Sequence, residues 1–283
     1  MMRDIILSAQ HTATTTFLAA MMIFTLSGTA FASEFDYTTY ASLLKKYVQE
    51  DKKVKGFTLN VVDYEGLYQE RRNSSSDYNR ILEQLAQFNP ETLSSKDHQI
   101  AFWINAYNIG AVKMILDHYP VDSIRSRKIS FLKNPWGIKI VTIGGRQYSL
   151  GEIEHEILLK RFSALKAHFV IVCASLSCPE LAKDVYTAGR LQAQLFRQAA
   201  KFMNDPKKGY AIDRAKKKVY VSRIFKFDKK NFGKGADVII PFILPFVENK
   251  EDREFLEKGT YDLEFLDYEW GLNSLHSGEQ SKK

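Results

Sequence analysis

The chain predicts an α+β fold: a single domain with a central, mostly antiparallel sheet packed by helices. Three observations carry that expectation. Helical and strand periodicities alternate along the sequence without the regular strand–helix–strand spacing of a parallel sheet. Neither an internal repeat nor a long linker divides the chain. Its 283 residues, 45% hydrophobic and 26% charged, have ordinary globular composition and suffice for a core of their own.

The elements follow in order. Residues 1–32 carry Arg3, an apolar run from Phe17 to Leu26, and then Ala30-Phe31-Ala32. A charged start, a short apolar core and a small-residue cleavage site make a signal peptide, cut after Ala32. The run is too short to span a bilayer comfortably. The expectation is export, to the periplasm in a double-membrane bacterium, with no transmembrane segment after cleavage and one domain over 33–273. Residues 37–53 read as an amphipathic helix with Tyr40, Leu43, Leu44, Tyr47 and Val48 on one side. Residues 57–64 read as a strand, and 76–89 as a helix stopped by Pro90. Residues 97–118 are the strongest helix, closed by Tyr119-Pro120. After a turn at 134–137, residues 138–143 and 146–148 form a hairpin about Gly144-Gly145. Ser149 and Glu152 are spaced as a capping box and open a helix ending near Arg161.

Residues 167–173 are apolar on both faces and read as a strand in the middle of the sheet. Pro179 suits the first turn of a helix. A helix over 188–204 is followed by strands at 210–213 and 218–222 around a lysine-rich turn. Pro241 and Pro245 break 236–248 into bent helical turns, 261–267 is a last strand, and 274–283 is a polar tail expected to be disordered.

The formal charge is +7, and removing 1–32 deletes one Arg and one Asp, so it stays there. Lysines gather at Lys207 and Lys208, at Lys216, Lys217 and Lys218, and at Lys226, Lys229 and Lys230. A basic exported protein suits anionic envelope partners: lipid headgroups, lipopolysaccharide, acidic glycans or a peptide substrate. The same lysines also serve as a solvated face that keeps the protein soluble. The compartment and the lack of an aromatic–basic motif argue against nucleic acid.

Chemistry concentrates in a few residues. With Pro179 opening a helix, Cys178 stands at its N-cap, where free N–H groups and the helix dipole favour a thiolate. Cys178 is then the candidate nucleophile, or else a buried small residue or half of a disulfide. Cys173 ends the apolar run and is expected to be packed and inert, or to act as the resolving partner of Cys178. A Cys173–Cys178 disulfide would close a very small loop and add little to stability. Of the six histidines, His155 and His168 are candidates for the base. His155 is flanked by Glu154 and Glu156, and His168 begins the stretch that delivers the cysteines. Asn105 and Asn108, three apart on an apolar helix, must find hydrogen bonds. They either clamp backbone or orient a histidine or an oxyanion. No metal-binding, P-loop, dinucleotide or Gly-x-Ser-x-Gly motif is present, so no metal or cofactor is expected.

Phe102-Trp103-Ile104-Asn105-Ala106-Tyr107-Asn108, Ile153-Glu154-His155, the run from His168 through Cys173 to Cys178-Pro179, and Tyr186-Thr187-Ala188 together resemble the domain of unknown function family numbered 547. Val61 to Tyr64, Val221 to Lys226 and Tyr268 to Asn273 are similar to its flanks and closing motif. Alanine follows Cys173 where many relatives have glycine. The resemblance implies a permuted papain-like or transglutaminase-like arrangement, in which histidine precedes cysteine as His155 and His168 precede Cys178. On it rests the leading expectation: a thiol hydrolase or acyl/peptidyl transferase acting on an amide or ester. Cys178 is the nucleophile in that reading, His155 or His168 the base, and Glu154 or Asn105 the group that orients it. The other expectations are a non-catalytic envelope binding module using Lys216, Lys217 and Lys218, and a thiol-redox pair.

Overall fold

The computed structural model describes residues 34–132 and 134–276. Helix α1, Thr38–Tyr47, buries Tyr40, Leu43, Leu44 and Tyr47 as the periodicity predicts, then stops six residues early. Val48 is already extended, and Val48–Val54 is strand β1, antiparallel to β2, Phe57–Val62. The physical reason lies in β2. Its residues 59–62 are all buried, so their backbone groups need a partner, and β1 supplies it. Lys55 and Gly56, both at positive φ (47° and 79°), make the turn.

Asp63 caps a short helix that the sequence did not announce, α2, Tyr64–Glu70: Gly66 N–H donates to Asp63 Oδ1 at 2.8 Å. Ser76 caps α3, Asp77–Gln87, which ends before Pro90 as expected. Ser95 caps α4, Lys96–Asp117, by accepting from His98 N–H. Between residues 100 and 116 every α4 side chain except Lys113 is buried. A helix that is apolar all round must run through the core, and α4 does.

Strands β3, Lys139–Ile143, and β4, Arg146–Ser149, form the expected hairpin, with Gly144 and Gly145 at φ 54° and 77°. The capping box follows: Ser149 N–H donates to Glu152 Oε2 (2.8 Å) and Glu152 N–H to Ser149 Oγ (3.2 Å). The helix it opens is π-helical over Glu152–Arg161.

Two expectations fail in the next stretch. Residues 167–173 are not a strand: a 3₁₀ turn, Leu165–Phe169, leads into irregular chain, and Val170 and Ile171 N–H both bond back to Ala167 O. Nor does a helix start at Pro179, so Cys178 is no N-cap; the next turn of helix begins at Ala188. A continuous apolar run signals burial, and burial is common to a central strand and to coil whose backbone is bonded by side chains. Here the side chain is Asn108, which accepts from Val172 N–H (3.0 Å) and donates to Val170 O (3.0 Å).

Helix α5, Leu191–Met203, follows the 3₁₀ turn Ala188–Arg190. Strands β5, Tyr210–Asp213, and β6, Lys218–Val221, pair antiparallel. Short helices α6, Ile224–Phe227, and α7, Lys229–Phe232, precede α8, Ala236–Ile243, which holds Pro241. Helix α9, Lys250–Lys258, leads to β7, Asp262–Phe265, parallel to β6. The fold is mixed α+β, but the expected central sheet is absent among the described residues: the strands lie in two hairpins and one three-stranded sheet. Helices α1, α3 and α4 build one core cluster; Phe169, the end of α5, the third sheet and α8 build another. The chain is still paired past residue 273: Leu275 N–H donates to Val62 O at 3.0 Å. The expected leader (1–32) and the rest of the expected tail (277–283) lie outside the described residues. Among the described residues, no helix is long and apolar enough to cross a membrane.

Candidate functional site

A cavity of about 440 Å³ opens where the two cores meet. Helix α4 contributes Tyr107, the π-helix Glu154 and His155, and the irregular chain His168, Ile171, Cys173 and Cys178. Ile224, Phe227 and Asp228 come from α6 and the residue after it, and Tyr268 and Trp270 from the closing segment. Five of the lining residues, Tyr107, Trp136, Phe227, Tyr268 and Trp270, are aromatic. Tyr268 and Trp270 pack at 4.4 Å between ring centroids, and Phe227 meets both at 5.2 and 5.7 Å.

Both cysteines are free, with residues 7% and 5% exposed, and their environments differ. Cys173 Sγ stands in a triangle of hydroxyls: 3.0 Å from Ser175 Oγ and 3.2 Å from Tyr268 Oη, which are themselves 3.2 Å apart. Cys178 Sγ accepts the Cys173 N–H at 2.9 Å. Burial pushes the Cys173 thiol up, but hydrogen bonds from Cys178, the Ser175 hydroxyl and the Tyr268 hydroxyl outweigh it, and the net displacement is downward. Burial and the adjoining Cys173 push the Cys178 thiol well up. The two thiols are thus displaced in opposite directions. The premise that favoured Cys178, a helix N-terminus, does not exist; the donors that stabilise a thiolate surround Cys173. Ala174 sits at φ 59°, a region glycine enters freely.

His168, 5% exposed, is held between two carboxylates. Its Nε2 lies 2.8 Å from Asp228 Oδ2 and its Nδ1 3.6 Å from Glu154 Oε1. Asn231 Nδ2 donates to both Asp228 oxygens (2.9 and 2.8 Å). Burial pushes the Asp228 carboxyl up, yet the bonds from His168 and Asn231 prevail and hold it below the usual aspartate range. Tyr107 Oη donates to Glu154 Oε2 (3.2 Å) and accepts from Trp136 Nε1 (3.3 Å), and Phe232 packs on the His168 ring at 4.8 Å. Among the described residues neither thiol is hydrogen-bonded to either histidine; they share the cavity.

Of the residues singled out in the sequence, Cys173, Cys178, His155, His168 and Glu154 converge on this cavity. His155 is exposed at its rim. Asn105 does not reach it: its amide donates to Tyr186 O (2.8 Å) and accepts from Tyr186 N–H (3.1 Å). Asn108 clamps backbone in the same way at Val170 and Val172. Lys216, Lys217 and Lys218 lie elsewhere, and Lys216 and Lys218 are paired with Asp213 (3.0 Å) and Glu264 (2.5 Å). The expected basic surface thus has less free charge than its lysines suggest. No group of three or more potential ligands among the described residues is placed to hold a metal ion.

Sequence reasoning missed Asp228, Ser175 and Arg125, and cited Tyr268 only as part of a motif. Asp228 and Tyr268 come from segments 60 and 95 residues from their partners, with no local spacing to betray them.

No curated protein and no solved structure matches the chain. Residues 90–203, which span α4, the π-helix, the cysteines and α5, match the model of the family described as protein of unknown function, DUF547. Over this segment, about two fifths of its length, the chain is similar to the DUF547 family.

Proposed function

We propose that this protein is an exported thiol-dependent hydrolase or acyl/peptidyl transferase acting on an amide or ester, with Cys173 as its nucleophile. One observation carries the reading: a single cavity gathers a thiol surrounded by hydrogen-bond donors and a buried histidine tied to Asp228. Histidine precedes cysteine in the chain, the order of a permuted papain-like enzyme. In the reaction Cys173 Sγ attacks the carbonyl carbon and a thioester forms as the C–N or C–O bond breaks. The thiol proton passes through His168 to the departing amine or alcohol. Water, or an amine acceptor in the transferase case, then cleaves the thioester and restores the thiol. Asp228 positions the imidazole, as the acid of a catalytic triad does. Ser175 and Tyr268 hydroxyls supply donors for the thiolate and for the oxyanion that follows.

p-Nitrophenyl acetate tests this. Peptide mapping of the quenched reaction is expected to find the acetyl group on Cys173, with p-nitrophenolate released in a burst. Cys178→Ser keeps the burst, and His168→Gln slows it by about 100-fold or more. Acetylation confined to Cys178, or no burst above that of the Cys173→Ser protein, would contradict the assignment.

A further inference from the structure

The carboxylates of the cavity are engaged: Glu154 accepts from Tyr107, and Asp228 from His168 and Asn231. Its guanidinium is not. Arg125, half-buried and part of the same lining, lies over the Trp270 ring at 4.7 Å, and its backbone N–H is fixed to Ser123 Oγ at 3.1 Å. No carboxylate among the described residues forms an ion pair with it. Glu269, beside Trp270 in the chain, turns its Oε1 to Gly271 N–H instead (2.8 Å). An arginine held over an indole leaves N–H groups of its planar guanidinium free, and that planar fork can receive a carboxylate through two parallel bonds.

The cavity also limits what this carboxylate belongs to. At about 440 Å³ it falls in the lower part of the range for small-molecule sites, roughly 300–1,000 Å³. That space takes a small acyl compound or the last residues of a peptide rather than a folded chain. The lining holds two carboxylates beside His168 and one guanidinium at Arg125, so a ligand's charged end has a cationic partner there.

We propose that the acyl compound taken by this cavity carries a free carboxylate held by Arg125 on its Trp270 platform, as the carboxyl end of a short peptide or an N-acylated amino acid does. The proposal rests on the reading of Cys173 as the reacting thiol, and its test separates the two. Iodoacetate and iodoacetamide alkylate the same sulfur, each forming a thioether and releasing iodide, and differ in charge. The iodoacetate-to-iodoacetamide rate ratio at Cys173, divided by that of glutathione, is expected to exceed about ten in the wild type. It falls to near one in Arg125→Gln, with Arg125→Lys, which keeps the charge but loses the fork, in between. Equal normalised ratios in the wild type and Arg125→Gln overturn the carboxylate site and leave the thiol reading standing. Failure of both reagents to modify Cys173 overturns the thiol reading. The Cys173→Ser protein then decides the carboxylate site through tryptophan fluorescence titrated with N-acetyl-dialanine and with its carboxamide. The acid is expected to bind at least about tenfold tighter than the amide; equal binding, or none by the acid, overturns the proposal.

Discussion

Asn108 uses both ends of its amide on one bend of backbone, and the cysteine segment depends on it. Asn108→Ala leaves Val170 C=O and Val172 N–H buried without partners. The expected cost is about 2–4 kcal/mol in urea unfolding, with faster hydrogen exchange at Val172; a loss below about 1 kcal/mol would show that the bend holds itself. Asp228 makes a pH-dependent contribution. Its carboxyl titrates lower in the folded chain than in the unfolded one. The stability it adds is therefore complete above the ordinary aspartate range and disappears as pH falls through the folded value. Unfolding of Asp228→Asn between pH 7 and pH 3 is expected to show a deficit that narrows with acid; a constant deficit contradicts this. At this scale the sequence is legible in part. It shows that Asn105 and Asn108 must find partners and that His168 and the cysteines belong together. It does not show which thiol the hydroxyls surround, because Tyr268 lies 95 residues from Cys173 and only the fold brings them into contact.

Among the elements, the capping box of Ser149 and Glu152 was readable from spacing alone, and it sets where the π-helix carrying Glu154 and His155 begins. Ser149→Ala is expected to cost about 1 kcal/mol, read from the urea midpoint, and to raise hydrogen exchange in the first turn of that helix. An unchanged midpoint would mean that tertiary packing alone holds it. Helices α3 and α4 and the hairpin at 138–148 were legible because their caps, prolines and Gly144-Gly145 turn act locally. Residues 48–54 and 167–173 were not. Each pattern was compatible with two backbones, and a distant partner decided between them: β2 for the first, Asn108 for the second.

For the whole molecule, the closing segment joins parts that are far apart in the chain. Asn273 accepts from Val62 N–H and donates to Ala174 O, both at 2.9 Å; Leu176 N–H donates to Gly271 O (2.9 Å) and Leu272 N–H to Asp122 O (2.8 Å). Tyr268 and Trp270 wall the cavity on the way. A chain ending at Asp267 loses all of these together. It is expected to be several kcal/mol less stable and to bind a hydrophobic dye such as ANS at neutral pH, whereas a native-like midpoint would show that the segment only decorates the fold. The central claim is that the cavity holds a reactive thiol and that this thiol is Cys173. The most direct measurement is the pH dependence of iodoacetamide alkylation, resolved by peptide mapping into the two cysteines. The account predicts that Cys173 reacts first, with a rate that titrates below the ordinary thiol range, while Cys178 stays unmodified. Preferential labelling of Cys178, or a Cys173 rate that titrates like free cysteine, would contradict it.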